Sequence, residues 1–236
     1  MPRRARVALG GVAWHIIQRG NNRGTCFFDD DSRRSFLQIL AEQAPRWDCQ
    51  VHAWVLMTNH FHLLLTPEHA SGPAGLMKHL GQRYVQSTNR RFGRTGSLWE
   101  GRFRSALAQD GAYVLNCYRY IELNPVRARI VEHPAEFPWS SFRNNGEAEP
   151  SDMLAPHPDY LALGESAGER ARHYRSLVTA GLDAGQVAAI RHSTNGNFVL
   201  GGKEFIASIA AALGRRVAPA RPGRPARGKS GTDHVS

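Results

Sequence analysis

Val12 to Arg19 is a short apolar run closed by Gly20-Asn21-Asn22, the pattern of a strand ending in a turn. Asp31 or Ser32 can cap a following helix that places Phe36, Leu37, Leu40 and Ala44 on one face and stops at Pro45. Residues 49–57 and 60–66 read as two strands joined at Thr58-Asn59, a hairpin. Leu76, Leu80, Tyr84 and Val85 recur at helical spacing within residues 74–92. A loop at Gly93 and Gly96 leads to a strand over 102–108. Asp110 can then cap a helix running to Asn124, where Pro125 bars continuation. The order β-α-β-β-α-β-α predicts an α+β fold. It is a ferredoxin-like split βαβ unit with a mostly antiparallel sheet, helices on one face and an extra helix at its end.

The pattern changes after Arg143. Residues 144–169 carry six acids, no Lys or Arg, and Pro150, Pro156 and Pro158, which predicts an exposed connector. Short helical patterns follow over 169–180 and 203–213, and from Arg215 a Pro/Gly/Arg-rich tail is expected to be disordered when unbound. The expected division is therefore a main domain over 1–143, a connector with a short helix over 144–185, a small helical region over 186–214, and a basic tail over 215–236.

Composition adds a location for the charge. The 236 residues carry a formal +10. Residues 71–105 hold Lys78, Arg83, Arg90, Arg91, Arg94, Arg102 and Arg104 against Glu100 alone, and residues 214–236 hold six basic residues against Asp233. Codon bias accounts for a preference for Arg over Lys but not for clustering, so two basic zones point to polyphosphate contact. A solvated helix face is the plainer explanation of the first zone. Cys26, Cys49 and Cys117 form no paired motif, and no apolar run reaches membrane-spanning length, so a reduced cytoplasmic setting is expected.

His60-Phe61-His62 lies within an apolar strand, where period-two geometry puts both imidazoles on one face. Two such rings can share one divalent cation, although such a pair is also common as plain structure. His52 and Cys49 lie near enough in the hairpin to leave zinc open. Tyr120 and Asn124 stand one helical turn apart, so a phenol able to act as a nucleophile and an amide able to complete a metal shell share one face. The alternative is that Tyr120 packs in the core and Asn124 merely ends the helix.

Three ordered blocks carry a family resemblance. Residues 53–65 (A-W-V-L-M-T-N-H-F-H-L-L-L), 96–105 (G-S-L-W-E-G-R-F-R-S) and 120–128 (Y-I-E-L-N-P-V-R-A) resemble the His-hydrophobe-His (HUH) single-tyrosine transposases. Within these they look most like the REP-associated tyrosine transposases, domesticated enzymes linked to repetitive extragenic palindromes. The resemblance covers roughly residues 10–143 strongly and the C-terminal third more loosely. It implies that His60, His62 and Asn124 hold Mg²⁺ or Mn²⁺ and that Tyr120 is the nucleophile, ahead of Tyr118 and then Tyr113. It further implies a single-stranded DNA endonuclease and strand transferase acting on hairpin-forming repeats through a 5′-phosphotyrosine, in a cytoplasmic, nucleoid-associated protein. A monomer is expected, with a dimer as the alternative.

On that reading Lys78, Arg83, Arg90, Arg91, Arg94, Arg102 and Arg104 line the DNA path. Arg224, in an R-P-G-R-P segment similar to an AT-hook, enters a minor groove or serves as a tether. Two other classes compete: a DNA-binding module that has lost cutting, and a zinc-stabilised RNA-binding protein.

Overall fold

The computed structural model describes residues 6–219. In β1 (Ala13–Arg19) strand alternation sends Trp14 and Ile16 to one face of the sheet and Ala13 and His15 to the other. α1 (Asp30–Arg46) begins at a reciprocal cap: the Asp29 carboxylate accepts the Ser32 N–H, and the Ser32 hydroxyl accepts the Asp29 N–H. Pro45 lies inside its last turn rather than beyond it. β2 (Cys49–Met57) and β3 (His60–Pro67) form the expected hairpin, with Met57 opposite His60. α2 (Gly72–Arg91) and β4 (Arg104–Ala108) complete the split βαβ unit. The sheet runs β2-β3-β1-β4-β5, antiparallel except that the two-residue β5 (Val199–Leu200) is parallel to β4.

Helices cover both faces, not one. Phe36 and Leu40 of α1 and Leu76, Leu80 and Tyr84 of α2 pack on the Trp14/Ile16/Leu63 side. The opposite face presents Ala13, Ala53, Ala106 and Ala108, whose small side chains let a helix approach closely. α3 (Ala112–Glu122) fills that space with Val114, Cys117, Tyr118 and Ile121. Its start also departs from expectation, because Gly111 precedes the helix at φ +79° and donates its N–H to Asp159, while Asp110 stays exposed. The helix ends at Glu122. Leu123 breaks it, and the short turn α4 (Asn124–Arg127) starts anew with Pro125 in its first turn.

The acidic segment is not an exposed connector. Leu154 bridges to Val51, and Tyr160 is buried and stacks on Tyr118. Two of its six acids serve as local hydrogen-bond acceptors: the Glu169 carboxylate takes the N–H groups of Glu165 and Ser166, and Asp159 takes that of Gly111. α5 (Phe142–Glu147), α6 (Pro158–Leu161), α7 (Ala167–Thr179), α8 (Ala184–Gly196) and α9 (Lys203–Ala212) follow in order. Arg119 ties α3 to the end of α7 through the carbonyls of Leu177 and Gly181. Among the described residues, no helix is long and apolar enough to cross a membrane.

Beneath α3 the fully buried Glu122 accepts hydrogen bonds from Ser141, Asn145 and Tyr174. Burial pushes its carboxyl up to about 7, against a usual 4.5. A folded value above the unfolded one favours the protonated acid in the fold. Stability from this group is thus complete below pH 4.5 and is lost as pH rises through about 7, a change of order 3 kcal/mol. Glu122→Gln keeps a hydrogen-bonding amide and removes the titration. Urea unfolding of the variant at pH 5 and pH 8 is expected to show this pH-dependent component gone; an unchanged difference would place its origin elsewhere.

Candidate active site at the His60–His62 face

β3 places His60 and His62 on the α3 side of the sheet, and α3 brings Tyr120 to them. The Tyr120 ring stands edge-on to His62 at 5.6 Å and to His15 at 5.5 Å between centroids. These residues, with Asn124, Arg19, Arg191 and Thr194, line a cavity of about 290 Å³ with no carboxylate in its wall. The sequence-predicted His60, His62, Tyr120 and Asn124 therefore meet in one place. Tyr118 does not join them: it is fully buried, accepts the His157 N–H at 3.2 Å, and burial pushes its phenol above the usual range. Tyr113 packs at the edge of the α3-side core.

The hydrogen bonds fix which ring nitrogens are free. Asn59 donates its amide to the Arg23 carbonyl, which turns its Oδ1 to His60 Nδ1 at 2.7 Å. A carbonyl oxygen only accepts, so His60 carries its proton on Nδ1 and leaves Nε2 bare. His62 Nδ1 lies 2.8 Å from His15 Nε2, leaving its own Nε2. Burial drives His60 down to about 4 and His15 to about 3, and lowers His62 well below 6.5, with neighbouring cations reinforcing each shift. Near pH 7 all three rings are neutral, the form that binds metal. Asn124 lines the same cavity as the two rings. Two neutral imidazoles and one amide oxygen at one cavity wall fit a divalent cation that also takes an anionic ligand.

The zinc alternative loses its ligands. His52 uses both nitrogens, on the Ala155 carbonyl and the Thr66 hydroxyl, and Cys49 donates to the Trp47 carbonyl.

Two arginines frame Tyr120. Arg191 Nε lies 3.4 Å from the phenol oxygen. Arg127 stacks 4.2 Å from the ring centroid and donates to the Tyr120 carbonyl, a cation–π contact that holds the ring in place. Arg191, Thr194 and Asn195 come from α8, which the pattern reading passed over. Its signal was present: Asp183 and Gln186 form a capping box, and Asn197 ends the helix in the left-handed region at φ 53°. His15 was likewise missed, as a polar residue on the alanine side of β1.

The predicted basic residues divide. Arg102 and Arg104 line a trough of about 400 Å³ with Arg6 and Arg19; Ile17, Arg19 and Asn195 are common to it and to the histidine cavity. Lys78, Arg83, Arg90, Arg91 and Arg94 line neither space, because α2 packs on the opposite face of the sheet. Arg83 pairs with Glu42, Arg91 with Asp29 and Asp31, and Arg94 lies over Phe28. Arg224 lies outside the described residues.

Residues 9–124 match the family described as "Transposase IS200 like". A protein named as a REP-associated tyrosine transposase from Haemophilus influenzae is 29% identical over 147 residues, covering 57% of this chain and 83% of that protein. The solved structure of a REP-associated tyrosine transposase bound to a REP hairpin superposes with a TM-score of 0.55 at 15% identity, covering 67% of this chain and 93% of that chain. That likeness supports the α+β fold read from the chain. The segment that matches the IS200-like transposases thus runs from before β1 to Asn124, and the chain is similar to the REP-associated tyrosine transposases.

Proposed function

We propose that this chain is a divalent-metal-dependent endonuclease and strand transferase for single-stranded DNA carrying hairpin-forming, REP-like repeats. The observation that carries the reading is the Tyr120 ring packed edge-on against His62 in a carboxylate-free cavity, with Arg191 at its hydroxyl. An anionic phosphate meets no like charge in that wall. Tyr120 Oη attacks the phosphorus; the Oη–P bond forms as the P–O3′ bond breaks, and the phenolic proton ends on the released 3′-oxygen. The product is a 5′-phosphotyrosine, which preserves a phosphodiester for rejoining by the reverse step. Arg191 holds the attacking oxygen and faces the charge that grows on the phosphoryl oxygens. Arg127 keeps the ring from turning away. His60 Nε2, His62 Nε2 and the Asn124 amide oxygen would hold the metal. When bound, Mg²⁺ or Mn²⁺ supplies Lewis-acid polarisation of a non-bridging oxygen.

In this reading the strand leaves the cavity along the trough past Arg102 and Arg104, and α2 contributes at most to a bound stem. Arg102→Ala and Arg104→Ala are each expected to weaken binding and to lower the salt slope of log affinity by about one. Lys78→Ala and Arg83→Ala are expected to leave the affinity for the single-stranded flank unchanged. Fluorescence anisotropy at two salt concentrations checks both statements; equal losses from the two groups would move the strand path to α2.

The direct test is incubation of the full chain and Mn²⁺ with single strands spanning the repeats that flank its own gene. A denaturing gel and mass spectrometry would then seek a covalent adduct on Tyr120. Hairpin binding with no adduct would leave a DNA-binding protein that does not cut.

A further inference from the structure

Cleavage as proposed above needs His62 to present a bare nitrogen to the cavity, and a single imidazole in water samples both neutral tautomers. Here a buried chain of hydrogen bonds runs from α8 to that ring. The Thr194 hydroxyl lies 2.8 Å from the Ile190 carbonyl and 2.9 Å from His15 Nδ1, and His15 Nε2 lies 2.8 Å from His62 Nδ1. All three side chains are buried. The carbonyl at one end can only accept, so the hydroxyl's single hydrogen points to Ile190 and its oxygen is left to accept from His15. His15 is therefore the Nδ1–H tautomer with a bare Nε2, and that nitrogen in turn accepts from His62 Nδ1–H. His62 Nε2 is then the bare nitrogen.

We infer that Thr194 and His15 are positioning residues that lock His62 in the Nδ1–H tautomer, so that its Nε2 lone pair faces the cavity before any metal arrives. Neither residue is the nucleophile or one of the three proposed metal ligands. The arrangement reproduces for His62 what Asn59 does for His60 across a single hydrogen bond, so both rings offer the same nitrogen. It also gives α8 a part in the site, although the family match ends at Asn124. The tautomer assignment stands on the hydrogen bonds alone; its use in catalysis rests on the proposed metal site.

Loss of the hydroxyl has a directional consequence. In Thr194→Val the buried His15 Nδ1–H has no acceptor, so His15 is expected to move its proton to Nε2. That Nε2–H then donates to His62 Nδ1, which forces the His62 proton onto Nε2 and blocks the ligand nitrogen.

Imidazole ¹⁵N shifts of the metal-free full chain, which separate protonated from bare ring nitrogens, read this directly. Both His15 and His62 are expected as Nδ1–H in the native chain and in Thr194→Ser, and both as Nε2–H in Thr194→Val. Mn²⁺ affinity, followed by electron paramagnetic resonance without DNA, is expected to fall by about 10–100-fold in Thr194→Val and to recover in Thr194→Ser. Hairpin binding in chelator serves as the folding control for each variant.

A His62 Nε2–H tautomer in the native chain, or rings unchanged by Thr194→Val, would overturn the relay. A native chain with the expected tautomers but no Mn²⁺ binding would instead overturn the metal reading and leave the relay standing.

Discussion

Tyr120→Phe is expected to reduce cleavage and covalent adduct to background while hairpin affinity stays within about twofold, since a single hydroxyl is lost and no new charge is buried. The ring keeps its edge contacts to His15 and His62 and its stacking on Arg127, so the fold has no reason to change. The paired control is Tyr118→Phe. That hydroxyl accepts the buried His157 N–H, so its removal is expected to cost stability of about 1 kcal/mol and leave the adduct intact. Adduct formation by Tyr120→Phe together with its absence in Tyr118→Phe would reverse the assignment, and gel analysis of both variants against one labelled strand decides it.

The second large effect concerns the imidazoles. His60→Ala and His62→Ala are each expected to slow cleavage by about 10²–10³-fold, the loss of a few kcal/mol of transition-state charge stabilisation. Asn124→Ala should cost only about tenfold, because a water molecule can take the place of a neutral amide oxygen. Initial rates over a Mn²⁺ titration measure all three, with hairpin binding in chelator as the control. Near-native cutting by either histidine variant would show that the metal is held elsewhere.

Most of what the sequence foretold was local. The hairpin at Thr58-Asn59, the amphipathic faces of α1 and α2 and the pairing of His60 with His62 each depend on residues a few positions apart, where periodicity speaks clearly. Tyr120 and Asn124 also met as expected, even though Leu123 breaks the helix between them. The basic cluster was legible as composition but not as position. Helical spacing shows which residues of α2 share a face, whereas the side of the sheet that α2 covers depends on the crossover. The His15–Thr194 contact was the hardest to foresee. It joins residues 179 positions apart, and the threonine lies on an Ala-rich helix whose apolar face is faint. Charge misled in one stretch: the acids of 144–169 look like a solvated linker, yet Asp159 and Glu169 accept backbone N–H groups and Tyr160 between them is buried.

The segments that lie beside β2 and β4 have a consequence for how the molecule meets others. Along β2, the N–H groups of Trp54 and Leu56 donate to the Ser141 hydroxyl and the Trp139 carbonyl, and the carbonyls of Val51 and Trp54 accept from Ala155 and Ser141. Along β4, the Ser105 N–H is taken by Asn197 and the strand end by β5. The open sides of β2 and β4 are thereby covered at these positions by the chain's own later residues, and β-augmentation has no free ladder there. A second copy or an extended peptide cannot join here by adding a strand. Self-association would have to use side-chain surfaces on helices or loops, which tolerate substitution and can be lost without disturbing the sheet. The same plugging protects an apolar sheet from stacking edge to edge as concentration rises, a safeguard that does not depend on the protein's net charge.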